Sequence, residues 1–414
     1  LVMTMSLVTV SAGAKDFTDD SSITYKEAVD VMSAAKVIDG YAEGDFRPSA
    51  TLTRGAAAKI ICNLILGPTT ASALVADAAP YSEVPTTHTF AGYIAYCQKE
   101  GIISGYADGT FRPANTLTGY AFMKMLLGAL GYDAEVEQYT GANWSINVAK
   151  RALNIGLDDD LVGDFNGVKA VTREEACLYA LNTMTADMVE YDAKTTVSTN
   201  GTTVVIAGSK AKEMVNNGNT DGKVFDKDGV MQFAEKYFDN LTVKTGSDDF
   251  ARPANVWKLK AEEIGTYTNT PDATYTKKVE NGDIYKDLGL GSKIEAKDVS
   301  VYEDGVKKTN TVAIEKGDDT NVGNSGNGVL TEVFYDDDAD TVTVTQINTY
   351  IGSINKTVKA TDKKDAYVVV TAEGPVPSQG FDNEFETDEK FEDDAYVLYT
   401  YSLTAKEIKS VEAA

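Results

Sequence analysis

Residues 40–54 read GYAEGDFRPSATLTR, and residues 105–119 read GYADGTFRPANTLTG. The second phrase repeats the first at an offset of 65 residues: Gly40 matches Gly105, Tyr41 matches Tyr106, Gly44 matches Gly109, and Phe46-Arg47-Pro48 matches Phe111-Arg112-Pro113. A weaker third copy follows 54 residues later and keeps Gly163, Phe165 and Thr172. In all three, Gly precedes Phe by two positions and Phe precedes Thr by seven. A phrase that recurs at fixed internal spacing marks a repeated structural unit.

Each Thr opens a helical pattern. Ala57, Ile60, Ile61, Leu64 and Ile65 follow Thr53; Phe122, Met125, Leu126, Ala129 and Leu130 follow Thr118; Ala176, Tyr179, Ala180, Thr183 and Met184 follow Thr172. This i, i+3, i+4, i+7, i+8 spacing puts apolar groups on one helix face. Thr53, Thr118 and Thr172 are natural N-caps, and Thr172 with Glu175 makes a capping box. A shorter helix precedes each loop, over about 24–37, over about 90–100, and from near Trp144. The unit is therefore helix, Gly-rich loop, helix. The loop glycines allow positive φ, and Phe46, Phe111 and Phe165 are placed to plug the space between helices. One such unit buries little, so three should pack into one body.

Bulk composition narrows the function. The 414 residues carry a formal charge of −25, so no general basic field exists for nucleic acid. Any anionic partner must be held by local cations. With His88 as the sole histidine, histidine-based zinc sites are excluded in practice, and no nucleophile motif surrounds it. Cys62, Cys97 and Cys177 lie in apolar helical stretches and read as buried small hydrophobes.

The opening LVMTMSLVTVSAGA is uncharged and ends in an A-x-A pattern at Ala12-Gly13-Ala14, as the last part of a secretory signal does. No later run approaches the length of a membrane-spanning helix. An exported protein held at the surface by other means is the expectation.

The phrases IDGYAEGDFRPSATLTRGAAAKI, ISGYADGTFRPANTLTGYAFMKM and VGDFNGVKAVTREEACLYAL resemble the S-layer homology (SLH) domain. KDFTD at 15–19 and YSEV at 81–84 resemble that family's opening Phe-x-Asp-Val segment. The resemblance implies a three-lobed helical bundle that anchors an exported protein, non-covalently, to secondary cell-wall polysaccharide on peptidoglycan, often pyruvylated. It implies a cell-wall or S-layer location in a Gram-positive-type bacterium, and grooves between lobes that hold the sugar. The family opens its second helix with a Thr-Arg-Ala-Glu-like tetrapeptide. Arg54 and Arg173 match its arginine, whereas Gly119 stands in that place in the second copy.

Carried over in this way, the candidate polysaccharide-binding residues are Arg54, Arg173, Trp144, Tyr25, Phe90, Gly40, Tyr41, Gly105 and Tyr106. An Arg just after an N-cap offers a fork of donors to a ketal carboxylate at a positive helix end. Tyr25, Phe90 and Trp144, each near the start of a first helix, are placed to lie against a sugar face. The residues alone leave alternatives open: Arg54 and Arg173 solvated or paired with acids, Tyr41 and Tyr106 half-buried packing groups, Trp144 a core residue. Gly119 suggests a weakened second groove, leaving two for avidity on a polymer. Arg47 and Arg112 have no reading beyond solvated loop positions.

From about residue 193 the texture turns to Thr, Val, Asp, Gly and Tyr. A hairpin is expected around Asn200-Gly201, a helix over 229–241, two strands flanking the acidic turn after Tyr335, and late strands in DAYVVVTAEG and DAYVLYTYSLTAKEIKSVEAA. The acidic runs Asp158–Asp160, Asp318-Asp319 and Asp336–Asp338 with Asp340, and the DKDG at 226–229, are candidate Ca²⁺ ligands, although none matches an EF-hand loop. The expected fold is multidomain α + β: a signal remnant at 1–14, helical repeats at 15–78, 79–137 and 138–192, then a β-rich sandwich- or barrel-like region at 193–414, divided near 245–300. The function expected is anchoring with a projecting or self-assembling body and no catalysis. The rivals are an SLH-anchored glycan-active enzyme and an adhesin.

Overall fold

A computed structural model describes residues 9–10, 17–192, 195–199, 202–206, 210–216, 229–309, 311–361, 365–373, 383–387 and 389–414. The signal remnant at 1–14 lies outside the described residues except for the two-residue strand Thr9–Val10. The Asn200-Gly201 turn and most of DKDG also lie outside them. Two compact bodies emerge, one of Val10–Lys244 with Trp257–Gly265, the other of Leu1–Thr9, Thr245–Val256 and Thr266–Ala414.

The first body is built from three helix pairs: α1 (Lys26–Ala34) with α2 (Arg54–Ser72), α3 (Ala91–Lys99) with α4 (Gly119–Ala129), and α5 (Trp144–Asn154) with α6 (Arg173–Thr185). These define lobes 1, 2 and 3. Thr53, Thr118 and Thr172 are the N-caps of α2, α4 and α6, each accepting from the third helical N–H, and Thr172–Glu175 closes the capping box. α2 kinks at Gly67, φ +73°, just before Pro68. The stripe residues are buried as their spacing requires; Ile65 alone among those of α2, α4 and α6 stays half-buried. Gly44, Gly109 and Gly163 have φ of +91°, +80° and +83°, the positive-φ turn in each loop. Phe46 and Phe111 are buried, whereas Phe165 is only half-buried, edge-on to Tyr120 and Tyr179.

The lobes close on one another as a ring. Leu117 N–H donates to Leu52 O, Leu52 N–H to Val171 O, and Val171 N–H to Leu117 O, each at 2.9 Å. The first two amides of each second helix donate to the next lobe: Arg54 and Gly55 to Asn115 and Pro113, Gly119 and Tyr120 to Lys169 and Gly167, Arg173 and Glu174 to Ala50 and Pro48. Orphan N–H groups at three helix starts are thus satisfied between lobes. At about 1 kcal/mol net per bond, the ring is a substantial part of lobe cohesion.

Cys62, Cys97 and Cys177 are free and buried, with Cys62 Sγ 3.6 Å from Cys97 Sγ between α2 and α3. The helix expected over 229–241 shrinks to Phe233–Tyr237. Val230 pairs with Val215 upstream, Gln232 caps the helix with Glu235, and Phe238 leaves helical geometry before a strand opens at Leu241. Pairing of the neighbouring backbone overrides the helical spacing there.

In the second body the strands Val329–Asp336 and Thr341–Val358 pair antiparallel around the acidic turn, as expected. The eighteen-residue strand Thr341–Val358 organises the sheet. Its first half pairs with Val329–Asp336 and, in parallel, with Val299–Glu303; its second half pairs with Tyr367–Ala372 and Tyr396–Ser402. Each half has its own apolar core, around Val333, Val342 and Val344 and around Ile354, Val370 and Tyr399. The sheet therefore branches on one strand. Among the described residues no group of three or more His, Cys, Asp and Glu is placed to hold a metal. Within the acidic runs, Asp336 accepts from Ala339 N–H, Asp340 from Tyr335 OH, and Asp318 from Thr320 N–H.

Candidate polysaccharide-binding grooves

The loops of lobes 1 and 2 are each held from two sides. From its own lobe, Asp19 accepts the N–H groups of Phe46 and Arg47 at 2.8 Å, and Glu83 accepts those of Phe111 and Arg112 at 2.5 and 2.6 Å. Phe17 packs on Phe46 and Tyr81 on Phe111, with centroids 5.2 and 5.3 Å apart. A Cβ at Gly40 would sit 2.4 Å from the Phe17 ring, and one at Gly105 2.4 Å from Tyr81. These glycines make room for their own lobe's aromatic ring.

From the preceding lobe comes the arginine. Arg54 donates through Nε to Phe111 O at 2.8 Å and through Nη2 to Ser104 O at 3.2 Å. Arg173 repeats this on lobe 1, with Nε to Phe46 O at 2.9 Å and Nη2 to Asp39 O at 2.8 Å. Neither arginine is in an ion pair among the described residues, and Nη1 of each takes no protein acceptor there. The arginines also lie over Tyr106 and Tyr41, at 5.0 and 4.7 Å. Arg112 and Arg47 approach the same rings, at 4.3 and 3.9 Å. Arg47 and Arg112 both have φ of +58° and pair with Asp45 and Asp108. Repetition was the only signal for them. Tyr41 and Tyr106 remain 38% and 40% exposed, flat surfaces with cations around them.

A groove of about 330 Å³ opens beside Arg54. Tyr106, Phe111, Lys124 and Trp144 share its wall, and among the described residues no Asp or Glu lines it. Trp144 is half-buried, edge-on to Tyr120 at 6.5 Å, with Lys124 Nζ 5.7 Å from its ring. Burial pulls Arg54 below the usual guanidinium value, partly offset by Tyr106 and Tyr81. Burial and then the Arg54 charge pull Lys124 down as well. Arginine stays protonated regardless. The helix start itself offers no free amide, because its first three N–H groups are already taken by Asn115, Pro113 and Thr53. The donors left open at this helix start are side-chain ones.

The other expected residues divide. Phe90 packs against the start of α2, where a Cβ on Gly55 would lie 2.5 Å from its ring, in the place Trp144 takes beside α4. Tyr25 stands beside lobe 3, its hydroxyl accepting Val162 N–H at 3.1 Å. That side has no arginine, since Gly119 is the residue that meets the lobe 3 loop. Six positions beyond each N-cap stand Lys59, Lys124 and, in lobe 3, buried Leu178. The small cavity beside Gly119 is lined by Asp164 and by Glu175, which pairs with Lys169. Lys124 was missed in the sequence; its helical spacing matched a partly exposed surface lysine.

Residues 16–58 and 80–119 match the S-layer homology domain. The chain carries SLH domains of a cell-surface protein. A surface layer protein of Brevibacillus choshinensis is 26% identical over 322 residues, 69% of this chain and 28% of that protein. Cell surface glycoprotein 1 of Acetivibrio thermocellus is 36% identical over 88 residues, 21% of this chain and 4% of that protein. An uncharacterized cell wall amidase of Bacillus anthracis is 26% identical over 180 residues, 42% of this chain and 32% of that protein. The chain thus spans well under a third of the first two relatives. The SLH match and these surface relatives place it at the cell wall, and no helix among the described residues is long and apolar enough to cross a membrane.

Proposed function

We propose that the three lobes form an SLH triplet that anchors this chain to a carboxylate-bearing secondary cell-wall polysaccharide, through the groove beside Arg54 and the equivalent face beside Arg173. The observation that carries this is charge placement. In a chain of net charge −25, the Arg54 groove holds two cations, an indole and, among the described residues, no carboxylate. Half-buried cations without acidic partners carry part of the cost of a desolvated charge, which a ligand anion would offset. A pyruvate ketal offers a carboxylate for the guanidinium and a sugar ring for the aromatic faces. Lobe 3's face, with Gly119, Leu178 and Glu175, is the silent one. The β-rich body projects from the anchor or assembles laterally.

The test is sedimentation of the full chain with purified cell-wall sacculi, with and without chemical removal of the secondary polymer. An Arg54→Ala/Arg173→Ala double variant runs beside it, below its own unfolding temperature. Co-sedimentation that vanishes with either treatment is expected; binding that survives polymer removal would sink the reading. The amidase relative gives an enzyme reading one point of support. That reading calls for release of soluble fragments from sacculi by the full chain, and none is expected.

A further inference from the structure

We infer that Lys124 is a second anion-binding cation of the Arg54 groove and makes it the stronger of the two arginine sites. This rests on the anchoring reading above.

The argument starts from the lobe repeat. The position six residues past the N-cap is Lys59 in lobe 1, Lys124 in lobe 2 and Leu178 in lobe 3. These do not have equal surroundings. Lys59 is exposed to solvent, Leu178 is buried, and Lys124 is half-buried on the groove wall. A half-buried ammonium normally finds a carboxylate. Lys124 finds none among the described residues; its neighbours are the Trp144 ring at 5.7 Å and, through space, the Arg54 charge. Two like charges share a cleft without a carboxylate among the described residues, and the Arg54 charge adds to burial in lowering the affinity of Lys124 for its proton.

Such a pair is unfavourable in the free protein and becomes favourable when one anion neutralises both. Arg54 has spent Nε and Nη2 on Phe111 O and Ser104 O, so its remaining donors cover only part of a carboxylate. Lys124 supplies three rotatable donors for the rest. Trp144 beside it gives the sugar ring a face. The ligand is thus a saccharide bearing a carboxylate, and the Arg173 side, with solvated Lys59, is the weaker partner in a two-site grip.

The test is calorimetric titration of the full chain with a methyl hexoside carrying a 4,6-pyruvate ketal, and with the same hexoside lacking it. Lys124→Met, Lys124→Arg and Arg54→Ala are compared after their unfolding temperatures are measured. The expected result is about tenfold weaker binding of the ketal to Lys124→Met at the tighter site, most of it regained in Lys124→Arg. Wild-type affinity in Lys124→Met, with binding lost in Arg54→Ala, overturns the inference and leaves the anchoring reading standing. Equal weakening for both hexosides also overturns it, since charge is then not the cause. If the wild-type chain does not distinguish the two hexosides, the anchoring reading falls and the inference with it.

Discussion

The Nε of Arg173 donates to the carbonyl of Phe46 at 2.9 Å, across 127 residues of chain. Arg54 makes the same bond to Phe111. Each arginine is therefore a clasp between lobes, and Arg54 is also a cation on a groove wall. Arg54→Ala or Arg173→Ala should cost about 1–3 kcal/mol of stability, from the loss of two charge-assisted bonds to carbonyls. Lysine cannot span both carbonyls and should recover little of it. Urea unfolding of each variant checks this, and a wild-type midpoint in either alanine variant would contradict the clasp.

Gly119 is where the clasp is missing. A Cβ there would lie 3.2 Å from both Gly167 Cα and the Phe165 ring. Gly167 in turn is packed by Tyr120, which would sit 2.1 Å from a Cβ at that position. The third junction has closed around aromatic rings instead of an arginine. Gly119→Arg should not raise affinity for sacculi, because Leu178 still stands where the Arg54 groove has Lys124, and Glu175 and Asp164 still line the face. Sedimentation against sacculi tests it; a clear gain would mean the third site is disabled by this one residue.

The repeated phrase made the lobes legible because each loop needs the same glycine turn, aromatic plug and threonine cap. Gly44, Phe46 and Thr53 announce themselves at fixed spacing. The ring of lobes was harder to read. That Arg54 serves the lobe 2 loop, and that Gly119 therefore deprives lobe 3, depends on packing between segments far apart in sequence. Asp19 and Glu83 were visible only as parts of an opening segment; their bonds to backbone N–H groups 27 to 29 residues away have no local signature. Lys124 looked like any helix lysine. In the second body, strong alternation marked Val329–Asp336 and Thr341–Val358, but that one strand serves two cores is a matter of register.

The two loop-holding carboxylates set an acid limit. Burial pushes Asp19 up, but N–H donors from Phe46 and Arg47 and the Arg47 charge outweigh it, leaving its carboxyl below the usual value. Glu83 is likewise raised by burial and lowered further by the N–H groups of Arg112 and Phe111. A carboxylate with a depressed folded pKa stabilises the fold fully above its unfolded pKa and loses that contribution as pH falls through the folded one. The loops of lobes 1 and 2 should therefore hold at neutral pH and begin to loosen below about pH 4. Unfolding temperature against pH should fall less steeply through that range in Asp19→Asn/Glu83→Gln than in the parent, from a lower plateau. Parallel curves would show that these contacts do not govern acid stability.

Asp304 plays a comparable part in the β-rich body. It is 2% exposed and sits at φ +47° in the turn after Val299–Glu303. Its carboxylate accepts Asn348 N–H at 2.8 Å, Asn348 Nδ2 at 2.8 Å and Tyr350 OH at 2.6 Å. Those donors lie where the long strand passes from one core to the other, so the turn is tied to the junction. Burial raises the Asp304 carboxyl against the pull of these bonds, and burial also raises the Tyr350 phenol, followed by its bond to Asp304. Asp304→Ala takes the acceptor from Asn348 N–H and Tyr350 OH, while Asn348 Nδ2 keeps Glu303, and should cost about 2 kcal/mol. Asp304→Asn keeps the shape and an acceptor oxygen and should cost less. The measurement is urea unfolding followed by circular dichroism in the strand region. A loss confined to the second body's transition is expected, and an unshifted transition in Asp304→Ala would show that the junction is held by apolar packing alone.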